Sequence, residues 1–377
     1  MKIAAVRVYP VAVNRAYATL TSGGPGPKPA ELPPGVTTSY YHIIELESDE
    51  GVIGLGEVSD IDPGARLPSG ELMTAAALQR ALTEALVGLD PLQMERTTER
   101  LRFNRLVECA IDCACYDLIG KAHGLSVSDL AGGHYRDRIW ISWVAYIRRP
   151  AEMEPEIVQK LEEGFTAFKL KVGRDIDLDE ERVALFRRLG GERVHLKLDP
   201  NAAWGVDEAI QNIRRLEKYR PDGIETPTDP RNLEGMARIR RETGVKLIEH
   251  VSTLDYALKA VLAQAVDVFN ISTVGAGGLY RAKKICAVAE AAGVACLLGS
   301  TIEMGIGTAH QAHLAASSRV ITWPSDLVGP GLLVDDVLVQ PHRYEQGYLR
   351  VPEGPGLGVA LDRNKLAALA HDLPAQA

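Results

Sequence analysis

Two lysines one residue apart, Lys169 and Lys171 in the run FKLKVG, have the spacing in this sequence that most directly suggests chemistry. Side chains alternate along a strand, so both ammonium groups project from one face while Phe168, Leu170 and Val172 project from the other. Further on, three short apolar runs end in acids: VHLKLD at Asp199, GIE at Glu225 and KLIE at Glu249, the last followed by His250. One such acid alone reads as a helix N-cap or first-turn residue. Three acids gathered at one mouth repel one another at neutral pH unless a cation lies among them, and a hard dication with oxygen ligands, Mg²⁺ first, is the simplest to supply. An ammonium beside such a dication and a second ammonium gives up its proton more readily, so one lysine is expected to act as a base. A carboxylate substrate on the dication would lose its α-proton to that lysine. The resulting enediolate would be stabilised by the dication and by the other ammonium.

These residues meet only if their strands are parallel neighbours. From about Trp140, eight β-rich runs recur (WISWVAY, FTAFKLKV, VHLKLD, GIET, VKLIEH, VDVFNIS, VACLLG and VITWP), and a helical stretch follows each of the first seven. That rhythm predicts a parallel barrel, whose active site lies at the C-terminal strand ends. Ahead of it, KIAAVRVYPV, SYYHIIELES and the strand after SDEG predict an antiparallel meander, and residues 71 to 124 read as helices ended by Gly124. Residues 21–38, rich in Gly and Pro, predict a flap. The chain of 377 residues is thus expected to divide into an α+β domain (1–125, with 345–377 returning to it) and a barrel (126–344).

The runs KLKVG, LDPNAAW, IETP, IEHVST, NISTVGAGGL and GSTIEMGIGTAHQAHLAA, preceded by VECAIDCACYDLIGKAHG and LAGG, resemble in content and order the muconate lactonizing branch of the mandelate racemase and muconate lactonizing enzyme family, in the enolase superfamily. The resemblance implies a modified (β/α)7β TIM-like barrel of α/β class with an N-terminal α+β capping domain. It implies Mg²⁺ held by Asp199, Glu225 and Glu249, and a base drawn from Lys169 and Lys171, usually the second of the pair. It places Glu303 near the substrate, makes residues 21–38 and the run EVSDIDPGARLP the flaps that select it, and implies a homo-oligomer, often an octamer.

The departures are as informative. Ser272 stands where most of the branch carries a lysine on the opposite face of the substrate, Thr226 replaces a glutamine, and His250 replaces an acid. Nor does CLLGSTIEMG offer the histidine of the racemase pattern. An unactivated hydroxyl does not ionise near neutrality, so Ser272 is a poor second base and two-base racemisation or epimerisation is disfavoured. The expected activity is a Mg²⁺-dependent lyase dehydrating a hydroxy acid or acid sugar from one face. A cycloisomerase of the muconate or sugar-lactone type is the alternative, ahead of a racemase or a barrel that only binds.

Other features admit plainer readings. His250 has the chemistry of a general acid, but alternation from Glu249 turns it towards the helices. His310 and His313, three apart in AHQAH, suit a helix packed behind the barrel, and GAGGLY suits close strand–helix packing. Arg148 and Arg149 would meet either a second substrate carboxylate or solvent. Five cysteines without a CxxC pair read as small buried hydrophobes. A net charge of −8 argues against nucleic acid, and the N-terminus MKIAAVRVYPVAVNRAY has no apolar run for a signal or membrane helix, so a cytoplasmic protein acting on a small carboxylate is expected.

Overall fold

A computed structural model describes residues 1–26, 28 and 31–374, apart from the side chain of Arg100. Its first strands, β1 (Ile3–Thr19), β2 (Val36–Ser48) and β3 (Ile53–Val58), form the antiparallel meander, with β1 running well beyond the alternating run that announced it. Helices α1 (Ala75–Leu86), α2 (Met94–Arg100) and α3 (Arg105–His123) follow. Asn104 opens α3 by accepting from Val107 N, and Gly124, at φ 68°, closes it in the left-handed region that glycine tolerates. α3 lies so close to β3 that a Cβ on Gly56 would stand 2.1 Å from Ala110 O.

After α4 (Val127–Leu130) and the short β4 (Arg138–Trp140), strands and helices alternate. They are β5 (Trp143–Ala145), α5 (Pro150–Glu162), β6 (Ala167–Lys171), α6 (Ile176–Gly190), β7 (His195–Asp199), α7 (Val206–Leu216), β8 (Gly223–Glu225), α8 (Leu233–Thr243), β9 (Leu247–His250), α9 (Leu254–Leu262), β10 (Val268–Ile271), α10 (Thr273–Ala276), α11 (Leu279–Ala292), β11 (Ala295–Leu298) and α12 (Gly305–Ala316). β5 to β11 form one parallel sheet in chain order. Helices cover its outer face and side chains fill its inner face, which is why the strands read as nearly unbroken apolar runs. Against that background each inward charge stands out. The register sets Lys169 beside Lys197 and Lys171 beside Asp199, two charged layers one above the other.

The eighth run differs from expectation. VITWP forms no strand; it closes the barrel through single bridges, Ile321 to Cys296 on one side and Ser325 to Ile141 on the other. Pro324 has no N–H to donate, and its carbonyl is taken by Lys197 Nζ at 2.8 Å, so a ladder cannot form there.

Beyond α13 (Gly329–Leu332), β12 (Tyr344–Glu345) pairs with β13 (Tyr348–Arg350) and β13 with β4, and α14 (Arg363–Ala368) brings the chain back to β1. There Ala12 N donates to Leu369 O at 3.1 Å, and Leu373 packs with the residues of β1, α1 and α3. All five cysteines are buried and free. Among the described residues no helix is long and apolar enough to cross a membrane.

Candidate active site

The ends of β6, β7, β8 and β9 converge. Lys171 Nζ donates to Asp199 Oδ2 at 2.6 Å. Lys169 Nζ lies 3.4 Å from Asp199 Oδ2, 3.2 Å from Glu225 Oε1 and 2.7 Å from Asp326 Oδ2. Asn270, one residue short of the end of β10, donates its amide to Glu225 Oε1 at 3.0 Å. Its own oxygen is so close to Gly299 that a Cβ there would stand 2.2 Å away. Glu249 Oε1 accepts from Thr226 Oγ1 and from the His250 amide, while its buried Oε2 has no partner among the described residues. The sequence-predicted Lys169, Lys171, Asp199, Glu225 and Glu249 therefore come together at one mouth.

Burial alone would lower the Lys169 pKa, but Asp326, Glu225 and Asp199 outweigh it and hold the ammonium well above its ordinary range. Each ammonium has a carboxylate oxygen within 2.7 Å. Glu225 shows the converse: burial would raise it, but Lys169 and then His250 hold it well below the carboxylate range. Glu249, with no ammonium beside it, is pushed by burial up to about 7.

Two members of the cluster escaped sequence reasoning. Lys197, completely buried, donates to Asp326 Oδ1 at 2.6 Å, so Asp326 stands between Lys197 and Lys169. Burial pulls Lys197 below its ordinary pKa against the attraction of Asp326. Lys197 carried a signal, being a charge in an apolar strand two residues before Asp199. Asp326 lies in a loop and carried none.

Behind Lys171 is a clamp. Arg182, fully buried on α6, donates to Lys171 O at 2.6 Å and Tyr146 O at 3.0 Å. Its neighbour Asp179 accepts from Gly173 N at 2.6 Å. The backbone at Lys171 and just beyond it is therefore fixed from outside the barrel.

Other residues are placed differently from their expected roles. His250 does not turn towards the helices: its side chain is 49% exposed and Nε2 lies 2.9 Å from Glu225 Oε1, because the strand ends at this residue and alternation no longer governs it. Ser272 is the N-cap of α10, its hydroxyl accepting from Gly275 N at 2.8 Å. Glu303 is buried and tied to its own turn, accepting from Ser300 Oγ, Thr301 N and Oγ1, and Gln311 Nε2. Arg148 is paired with Glu156 and lies over Tyr17, and Arg149 caps α5. His310 and His313 are buried, the first against Asp112 and the second between Ser128 and Leu357 O.

The donor set suits a hard dication: three buried carboxylates, one of them raised in pKa with an oxygen that meets nothing. Among the described residues the three acids do not stand as a ready-made metal cluster, and the Lys169 ammonium lies between Asp199 and Glu225.

Two family models match the chain: "Enolase C-terminal domain-like" over residues 152–365 and "Mandelate racemase / muconate lactonizing enzyme, N-terminal domain" over residues 28–132. Muconate cycloisomerase 1-1 of Acinetobacter lwoffii is 30% identical over 338 residues, 88% of this chain and 89% of that protein. The hydrophobic dipeptide epimerase of Enterococcus faecalis is 32% identical over 325 residues, 84% and 91% of the two chains. Among solved structures, 2-chloromuconate cycloisomerase from Rhodococcus opacus 1CP superposes with a TM-score of 0.88 at 27% identity, covering 99% of this chain and all of that one.

Proposed function

This chain belongs to the mandelate racemase and muconate lactonizing enzyme family, enzymes of the enolase superfamily, and we propose that it is a Mg²⁺-dependent lyase that dehydrates a small hydroxy carboxylate from one face. The observation that carries this reading is an asymmetry at the mouth. Lys171 lies at the mouth against Asp199, and Ser272, which stands where the family resemblance sets a second base, has committed its hydroxyl to capping a helix. Epimerisation by two bases has no second base to use.

Asp199, Glu225 and Glu249 would hold the Mg²⁺, which when bound draws charge from the substrate carboxylate and acidifies the adjacent C–H. Lys171 in its neutral form takes that proton. Lys169, kept charged by its three carboxylate neighbours, supplies fixed positive charge where the carboxylate gains electron density. The electron pair of the broken C–H bond becomes the new C=C bond as the β C–O bond breaks. Lys171, now an ammonium on the same face, returns its proton to the departing hydroxyl, which leaves as water. The clamp of Arg182 and Asp179 keeps Lys171 in place for both transfers.

Cycloisomerisation is the second reading, favoured by the relatives that carry that name. It too needs one base, and it yields a product of unchanged mass. Incubation with a library of hydroxy acids, acid sugars and muconates, followed by mass spectrometry, separates the two: loss of one water supports the lyase, unchanged mass with solvent deuterium on carbon supports the cycloisomerase. Full turnover by Lys171→Ala would dismiss the assigned base in either case. A homo-oligomer, inferred from the family resemblance, is checked by light scattering.

A further inference from the structure

The barrel holds a third lysine, whose bonds run to the closing segment and not to the three acids of the mouth. Lys197 sits on β7 two residues before Asp199, in register with Lys169 on β6. It is completely buried, and its side chain crosses the interior to the eighth run, which lies between β11 and β5. There Nζ donates to Pro324 O at 2.8 Å and to Asp326 Oδ1 at 2.6 Å. The backbone it reaches is pinned from both sides. Ser325 N donates to Trp140 O at 2.8 Å, and Asp326 N donates to Leu298 O at 2.7 Å.

The two oxygens of Asp326 are unlike. Oδ1 accepts the hydrogen bond of Lys197, whereas Oδ2 stands 2.7 Å from Lys169 Nζ as an ion pair without hydrogen-bond alignment. The orientation of this carboxylate is therefore set by Lys197 and the pinned backbone, and Lys169 takes its place from it. The other carboxylates about Lys169 are Asp199 and Glu225, both assigned above to the Mg²⁺. Asp326 is thus the neighbour of Lys169 that has no metal to hold. Closing the barrel does not of itself call for charge, since apolar residues of similar volume replace a buried ion pair with little or no loss of stability in many proteins. An apolar pair, however, has no fixed negative oxygen to offer Lys169. A charge held in place before reaction stabilises developing charge without reorganisation at the moment of reaction.

We propose that Lys197 is a positioning residue: through Asp326 it fixes the Lys169 ammonium where the enediolate forms. This rests on the reading above, in which Lys169 supplies positive charge as the substrate carboxylate gains electron density. Loss of Lys197 should then weaken the hold on the enediolate more than the hold on an ordinary carboxylate, because only the first depends on where the ammonium stands.

The test is calorimetric titration in Mg²⁺ with two probes that cannot eliminate: butyrate, and butyrohydroxamate, whose two oxygens carry the charge pattern of an enediolate. Lys197→Met should weaken hydroxamate binding by a factor of about 10 to 100, the value of one displaced charged contact, and change butyrate binding by no more than about threefold. Lys169→Met, the reference, should lose at least as much hydroxamate affinity. Lys197→Met combined with Asp326→Asn removes both buried charges, so its melting temperature should return towards that of the wild type while hydroxamate binding stays weak. Undiminished hydroxamate binding in Lys197→Met, with Lys169→Met weakened, would overturn the role of Lys197 and leave that of Lys169 standing. Recovery of hydroxamate binding together with melting temperature in the double variant would also overturn it, and reduce the pair to a closure of the barrel. Wild-type hydroxamate binding in Lys169→Met would instead overturn the reading of Lys169, and this proposal with it.

Discussion

The protein buries two sets of carboxylates and treats them in opposite ways. At the seam between the capping domain and the barrel, Glu57 accepts from Met304 N and Gly307 N at the start of α12, Asp112 accepts from Leu279 N at the start of α11, and Asp117 accepts from Leu55 N and Leu357 N. Each is held by backbone amides, which cannot move without unfolding something, although Asp117 also accepts from Lys121 Nζ at 2.6 Å. At the mouth, Asp199, Glu225 and Asp326 are met by ammonium groups on long side chains, and one oxygen of Glu249 is met by nothing. Fixed donors suit acids that hold two domains in register. Mobile, titratable partners suit acids whose proposed task is to hold a metal ion beside a substrate.

If that contrast is sound, removing a mouth residue costs activity and removing a seam residue costs stability. The largest effect belongs to Lys171→Ala, expected to lower turnover by a factor of about 10³ to 10⁴ with little change in melting temperature. A variant that melts far below wild type would place Lys171 with the seam. Next comes the pH dependence of stability at Glu57. Burial pushes its carboxyl from 4.5 up to about 8, against its three donors. Between those values the folded protein keeps a proton that the unfolded chain has released, so stability falls as pH rises, by up to about 1.4 kcal/mol per unit from this group. Denaturant titrations from pH 5 to 8 should show that slope, and Glu57→Gln should flatten it. An unchanged slope in the variant means that the amides alone offset the burial.

Asp112→Ala follows, at about 2 kcal/mol of stability. It removes the side-chain acceptor at the start of α11 and leaves Leu279 N and Tyr280 N without it. Turnover per folded molecule should be unaltered, which thermal melts paired with assays at low temperature would check. A matching loss of turnover would mean that the seam reaches into the mouth.

The sequence exposed the mouth better than the seam, for a physical reason. A charge inside an apolar strand is expensive, so Lys169, Lys171, Asp199 and Glu225 stand out against their neighbours. Lys197 obeyed the same rule and was legible in principle. Asp326 was not, because its partner Lys197 lies 129 residues away and only barrel closure brings them together. On α3, Asp112 and Asp117 sit in a run of small residues that announces a buried helix but not what its acids cap. The eighth run failed as a strand because Pro324 interrupts it, and His250 misled because alternation ends where the strand does.

Ser272 lies on the boundary between the two sets, and its replacement is the finest test of the contrast. It stands one residue past the end of β10 and two beyond Asn270, which reaches Glu225. By bonding it belongs with the caps, since its hydroxyl accepts from Gly275 N and Gly275 is hemmed by both Ser272 and Ser252. Ser272→Ala removes only the cap, at about 1 kcal/mol of stability, and turnover should change by no more than about threefold. Ser272→Lys sharpens the point by placing an ammonium opposite Lys171. Gain of α-proton exchange with inversion in that variant, followed by chiral chromatography in D₂O, is the expected outcome if a missing second base is what confines the enzyme to one face. Loss of turnover in Ser272→Ala with unchanged stability would instead make the hydroxyl a participant, and the one-face reading would fall with it.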